Sequence, residues 1–241
     1  MMRNGTYFII RVFIFFCAML STPAWALFQY GSLWLSINNQ NYLSKDKQWV
    51  YLFNSQSRFV NRDHPLETLL AQGSVGYSLN PRQRVWVGYY WADFRPYHHD
   101  FQEQRLFEEF YWTLEDDSNS RVATRTRIEE NKFTNHDQVI VIWRQMLARE
   151  MMKLYFGHLN PLFYEEMFVH LNNPTYASRH FLNENRVFIG FNYYISQKAF
   201  WRIGYINQLV MGTPHSSSVM MHVLAINYTF GVPKISLPID N

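Results

Sequence analysis

The stretch VLAINYTF, residues 223–230, decides the fold. Leu224, Ile226, Tyr228 and Phe230 fall on one parity, and Val223, Ala225, Asn227 and Thr229 on the other. Successive side chains of a β-strand point to opposite faces, so this segment has one greasy face and one small or polar face. The same rule organises the sequence upstream. Val187, Ile189, Phe191 and Tyr193 alternate with Arg186, Phe188, Gly190 and Asn192; Trp201, Ile203 and Tyr205 alternate with Arg202 and Gly204. Val85, Val87, Tyr89 and Trp91 share a face opposite Gly88 and Ala92. Further units of about ten residues cover 49–59, 72–79, 103–114, 121–130, 139–150 and 163–171. A unit at 33–42 is less regular, and 146–155 is the one stretch whose Ala, Met and Glu content would also permit a helix.

The connections alternate in length. Short turns are expected at 44–47, 80–83, 116–119 and 196–198, and longer polar loops at 61–67, 95–102, 131–138, 172–185 and 212–218. Short turns at one end and long loops at the other are the pattern of a transmembrane β-barrel; a soluble sandwich shares the strands but has no cause to alternate so regularly. The expected fold is all-β, an antiparallel transmembrane barrel of about 10–12 strands. Ten of these run from residue 49 to residue 230. The segment 33–42 then breaks the parity; it pairs at the seam, lies in the lumen or belongs to a twelve-strand arrangement.

Composition agrees with that class. The 241-residue chain is 48% hydrophobic, 18% aromatic and only 17% charged, which excludes disorder, collagen-like repeats and disulfide-stapled folds. Its mean hydropathy of -0.27 excludes a helical multi-span protein. One run alone is lipid-soluble, and it reads as a secretory signal over residues 1–26. Arg3 and Arg11 supply the basic region, 12–20 the apolar run, and Ala24-Trp25-Ala26 the cleavage site. Bulky Phe16 before Cys17 argues against a lipoprotein signal. Cleavage would remove the single cysteine and leave the barrel domain 27–241 with no thiol for a disulfide, a metal or a nucleophile. Lys plus Arg would fall from 22 to 20 against 19 Asp plus Glu, a net charge of +1 that disfavours a nucleic-acid partner.

Polar residues of several strands converge on one parity. Arg121, Arg125, Arg127 and Glu129 lie opposite Val122, Thr124, Thr126 and Ile128. Gln56 and Arg58 form a second set, Glu103, Arg105 and Glu109 a third, and Tyr164, Glu166 and His170 a fourth; Arg144 and Arg186 complete it. An Arg or Lys on the lipid face near the midplane costs about 2–4 kcal/mol. These charges are therefore expected inside the barrel, paired as arginine–carboxylate ladders. They either line a polar channel or cleft, or fill a narrow barrel with salt bridges, as side chains fill most small barrels. Glu108, Glu130 and Glu165 fall on the outward parity and call for positions near an interface or for a slipped register.

The ordered motifs Gln56-Ser57-Arg58-Phe59, Val87-Gly88-Tyr89, Glu103-Gln104-Arg105 and Arg125-Thr126-Arg127-Ile128-Glu129 continue with Glu166-Met167-Phe168, Leu171-Asn172, Asn185-Arg186-Val187-Phe188-Ile189-Gly190 and Ile203-Gly204-Tyr205. In this the chain resembles the bacterial outer-membrane barrel family catalogued as domain of unknown function 2490. The resemblance implies location and architecture: the bacterial outer membrane, with its lipid and lipopolysaccharide and the barrel-assembly machinery as partners. It implies no activity. One departure is that Phe230, where barrel proteins usually end, is followed by residues 231–241.

No GxSxG, P-loop, HExxH or GxGxxG motif occurs, and no cofactor or metal is expected. His215 with Ser216, Ser217 and Ser218, and His98 and His99 with Asp100, are ordinary loop composition that could also serve an outer-rim enzyme. His170 near Glu166 reads first as a structural histidine. Trp49, Tyr89, Trp91, Trp112, Tyr193, Trp201 and Tyr228 read as aromatic girdles at headgroup level. The first functional reading is a non-enzymatic barrel that is structural or passes or binds a small solute. The second is a barrel enzyme acting on lipid or lipopolysaccharide, and the third a soluble periplasmic sandwich or lipocalin-like binder.

Overall fold

A computed structural model describes residues 28–61, 66–95, 100–152, 158–172, 181–212 and 217–231; the expected signal segment lies outside them. All regular structure among the described residues is β. The strands are β1 (Phe28–Tyr42), β2 (Trp49–Val60), β3 (Leu66–Asn80), β4 (Gln83–Phe94), β5 (Phe101–Asp116), β6 (Ser120–Phe133), β7 (Val139–Met151), β8 (Leu159–His170), β9 (Leu182–Ser196), β10 (Ala199–Val210) and β11 (Val219–Gly231). Each pairs with its sequence neighbours, and β1 closes the sheet on β11.

The barrel is thus closed, with eleven strands, and the antiparallel expectation needs one correction. Every pairing between sequence neighbours is antiparallel, but β1 and β11 run parallel, from Phe28 beside Val219 to Gln40 beside Gly231. The irregular segment 33–42 therefore sits in the wall at the seam, between β11 and β2. Its pattern is blurred because Trp34 takes an inward place, 2% exposed, while Leu35 and Ile37 point out. An odd strand number also places the start of β1 and the end of β11 at opposite rims. Two further boundaries differ. β3 begins at Leu66 rather than 72, since Leu69, Leu70 and Ala71 are apolar on both faces and mask the alternation. The candidate helix from 146 is strand as far as Met151; residues 153–157 lie outside the description.

One rim carries the connections 43–48, 81–82, 117–119, 152–158 and 197–198, and the other carries 61–65, 95–100, 134–138, 171–181 and 211–218. The alternation in length has two exceptions, because 43–48 and 152–158 join strands at the turn rim yet are longer than 61–65 and 134–138. Side chains build the tight turns. The Asp117 carboxylate accepts the backbone N–H groups of Asn119 at 2.7 Å and Ser120 at 2.8 Å, bonds that hold its carboxyl below the usual carboxylate range. Asn80 accepts from the Arg82 N–H at 2.9 Å in the same way.

The inward parity packs a core across the barrel. Tyr111, Met146, Leu162, Tyr164, Phe188 and Ile206 form one buried cluster with Trp34, Val223 and small neighbours. Tyr164 and Phe188 stack at 4.7 Å. Glycine makes the room. A Cβ on Gly204 would stand 2.4 Å from the Phe188 ring and 2.6 Å from the Ile189 carbonyl oxygen, so the ring lies directly over bare backbone. The outward parity is apolar and exposed, from Phe53 and Val87 to Leu106, Ile128, Ile189 and Leu224. Its aromatic residues pair near the turn rim, Trp49 with Tyr77 at 5.0 Å and Trp201 with Tyr228 at 4.7 Å.

Candidate functional site: a buried ion-pair network beneath a cavity

Strand register brings the interior charges together in rows. Arg125, Met146, Glu166 and Arg186 are successive partners across β6 to β9. Arg127, Arg144, Phe168 and Glu184 form the next row toward the long-loop rim. Parity turns all of these inward, and the arginines are long enough to reach between rows.

Glu166, fully buried, is one hub. Arg125 donates to its Oε1 at 2.5 Å across the width of β7, and Arg144 Nε donates to the same atom at 2.9 Å. Glu129 is the second hub, accepting from Arg144 at 2.5 Å, Arg127 at 3.2 Å and Arg105 at 3.3 Å. Arg127 also donates to Glu109 at 2.7 Å, and Arg105 to Glu103 at 2.7 Å. Arg186 donates to Glu184, which accepts from Gln208 at 2.7 Å as well. Such charge-assisted bonds are short and directional, and arginine's fixed fork lets one guanidinium serve two carboxylates.

The guanidinium faces are used too. Arg58 lies 4.0 Å from the Trp34 ring centroid, Arg105 4.2 Å from Tyr90, Arg127 4.1 Å from Phe107 and Arg144 4.3 Å from Phe168. Stacking of this kind suits a weakly hydrated, planar cation in a desolvated place. It is one physical reason that the buried cations of this network are all arginine.

Above the network, at the long-loop rim, lies a cavity of about 580 Å³. Arg58, Arg105, Arg186, Glu103, Glu129 and Glu184 form its charged floor, with the Trp34 indole beside them. Phe94, Phe101, Phe133, Ile140, Ile142 and Phe168 form an apolar wall on β4 to β8, in which Phe94 stacks on Phe101 at 4.9 Å.

Most of the charged residues singled out from the sequence meet in this arrangement. Glu103, Arg105, Arg125, Arg127, Glu129, Arg144, Glu166 and Arg186 belong to the network; Arg58 and His170 line the cavity. Arg121 stands apart at the turn rim, paired with Asp116 at 3.2 Å. Glu184 falls in a stretch read as loop, 172–185, although its parity with Arg186 could have flagged it. Trp34 was hidden by the irregularity of β1. On the outer wall, Glu130 is exposed near the end of β6, whereas Glu108 is exposed at mid-strand beside Val87 and Ile128. Glu165 points outward but is covered, 6% exposed, and accepts from Asn185 at 3.1 Å. His98, His99, His215 and Ser216 lie outside the described residues. Among those described, no group of three or more His, Cys, Asp or Glu side chains could hold a metal ion.

Closed wall, packed core and buried arginine–carboxylate hubs define a class, that of closed β-barrel proteins with an ion-paired interior. Within it, the chain belongs to the family described as Protein of unknown function (DUF2490), whose profile matches residues 31–218. It is also similar to an uncharacterized protein of Methylorubrum extorquens, 26% identical over 201 residues, covering 83% of this chain and 86% of that one. No solved structure matches the chain.

Proposed function

We propose that this protein is a bacterial outer-membrane β-barrel that binds a small solute at its long-loop end and conducts nothing through its interior. The observation that carries the reading is the contrast between the two faces of one closed sheet. Val87 is 59% exposed, Leu106 58% and Ile189 61%, while Arg144 and Glu166 on the opposite parity are 1% and 0% exposed. Water on the outside would leave that apolar wall far larger than the patches soluble monomers show; lipid would cover it. The aromatic pairs near the turn rim suit the headgroup level. Outer-membrane lipid and lipopolysaccharide are then the surrounding partners, and the barrel-assembly machinery the route of insertion, after removal of residues 1–26.

Binding rather than passage follows from the packing. Tyr111, Tyr164, Phe188 and Ile206 belong to one core inside the barrel, and the ion-pair hubs cross it at mid-strand. Two measurements test the proposal together. The protein should co-sediment with the outer membrane and migrate differently on a gel before and after boiling. In planar bilayers it should show no steady conductance. A periplasmic protein that migrates identically in both states would overturn the membrane reading, and stable ohmic channels would overturn the closed interior.

A further inference from the structure

We infer that the cavity at the long-loop rim takes an organic monoanion with an apolar body, its acidic head seated between Arg58 and Arg186 over the Trp34 indole. The inference deepens the solute-binding reading and rests on it. Its geometry is two-sided. On β2 and β9, Arg58 and Arg186 both line the cavity and approach one indole, at 4.0 and 5.3 Å from the ring centroid. Facing them on β4 to β8 stands the apolar wall of Phe94, Phe101, Phe133, Ile140, Ile142 and Phe168. A ligand that satisfies both sides must be charged at one end and apolar along the rest.

The sign of that charge follows from donors and acceptors. The floor carboxylates already accept from arginines: Glu103 from Arg105, Glu129 from three guanidiniums, and Glu184 from Arg186 and Gln208. Each guanidinium carries five N–H donors and no acceptor, so donors outnumber carboxylate oxygens on this floor. Over the network and the cavity lining together, Arg58, Arg105, Arg125, Arg127, Arg144 and Arg186 face Glu67, Glu103, Glu109, Glu129, Glu166 and Glu184, six against six, so it is the donors gathered at Trp34 and not a net charge that set the sign. Arg58 also donates to Gln56 at 2.7 Å. A planar carboxylate or a sulfonate matches the arginine fork, and an ammonium seated between Arg58 and Arg186 would meet two like charges. The volume of about 580 Å³ falls among those of small-molecule sites.

The experiment is a calorimetric titration of the purified full-length mature protein in lipid nanodiscs. The probes are naphthalene-2-carboxylate, octanoate and 2-naphthylmethylamine, with Trp fluorescence recorded in parallel. Both anions should bind, the aryl and alkyl arms reporting which body the wall prefers, and the amine should bind at least about tenfold more weakly. Arg58→Gln should weaken the anions about tenfold, the loss expected for a hydrogen bond to a charged group. Met221→Trp, which fills the cavity from β11 without touching a charge, should weaken both anions as well. Equal or tighter binding of the amine, unchanged affinity in Arg58→Gln, or no binding by either anion to a barrel shown intact by its gel shift would overturn the inference. If the barrel proves water-soluble, the same titrations run in buffer, so failure of the membrane reading stays distinct from failure of this one.

Discussion

Glu166 and Glu165 are neighbours in sequence and opposites in environment. Glu166 is fully buried between Arg125 and Arg144, whereas Glu165 looks outward and is satisfied by Asn185. Removing one partner from a buried ion pair strands the others, at about 3–5 kcal/mol; losing an ordinary hydrogen bond costs about 1 kcal/mol. Urea unfolding in detergent should therefore find Glu166→Ala much more destabilised than Glu165→Ala. Glu166→Gln should fall between them, since it keeps acceptor and donor capacity but loses the charge. A near-zero effect of Glu166→Ala would mean that water enters the interior and screens the hub. Parity alone was enough to put Arg125, Arg127 and Glu129 on one face of β6 and Glu166 on the matching face of β8. It could not say which arginine would take which carboxylate, because that depends on the register between strands. Nor could it show that Trp34 would lie beneath two guanidiniums, since the pairing of β1 with β11 joins residues nearly the whole chain apart.

At the scale of elements, the strands easiest to read were those with one apolar parity, such as β9 to β11. The starts of β3 and β8 escaped because runs like Leu69-Leu70-Ala71 and Pro161-Leu162-Phe163 are apolar on both faces. β1 could be found but not placed: a lone strand carries no mark of the direction in which it will pair. Its parallel pairing with β11 is open to a direct check. Leu33 is the register partner of Leu224, and Ile37 of Tyr228. Neighbouring strands lie about 4.8 Å apart, within the span a disulfide tolerates. Leu33→Cys combined with Leu224→Cys, and Ile37→Cys combined with Tyr228→Cys, should each cross-link under mild oxidation. An antiparallel β1 centred on the same residues would instead link Leu33→Cys to Tyr228→Cys, and that product would refute the seam.

For the whole molecule, the outer wall decides which solvent the barrel is built for. Ile189 is 61% exposed near the middle of β9, so arginine there meets no protein obstacle. In a bilayer Ile189→Arg should cost about 2–4 kcal/mol and block stable insertion; in water it should be nearly neutral. Unimpaired refolding of this variant into lipid vesicles would count against a lipid-facing wall. The odd strand number has a consequence for connectivity as well. The end of β11 and the start of β1 lie at opposite rims, so the sheet is a ring in its hydrogen bonds but not in the path of its chain. A circular permutant joining residue 231 back to residue 28 could not close with a hairpin turn. Parallel neighbours need a crossover of a dozen or more residues, and the way through the middle is occupied by Phe188 and Tyr164. The splice would have to run outside the wall, which makes this the one junction in the barrel that a short loop cannot replace.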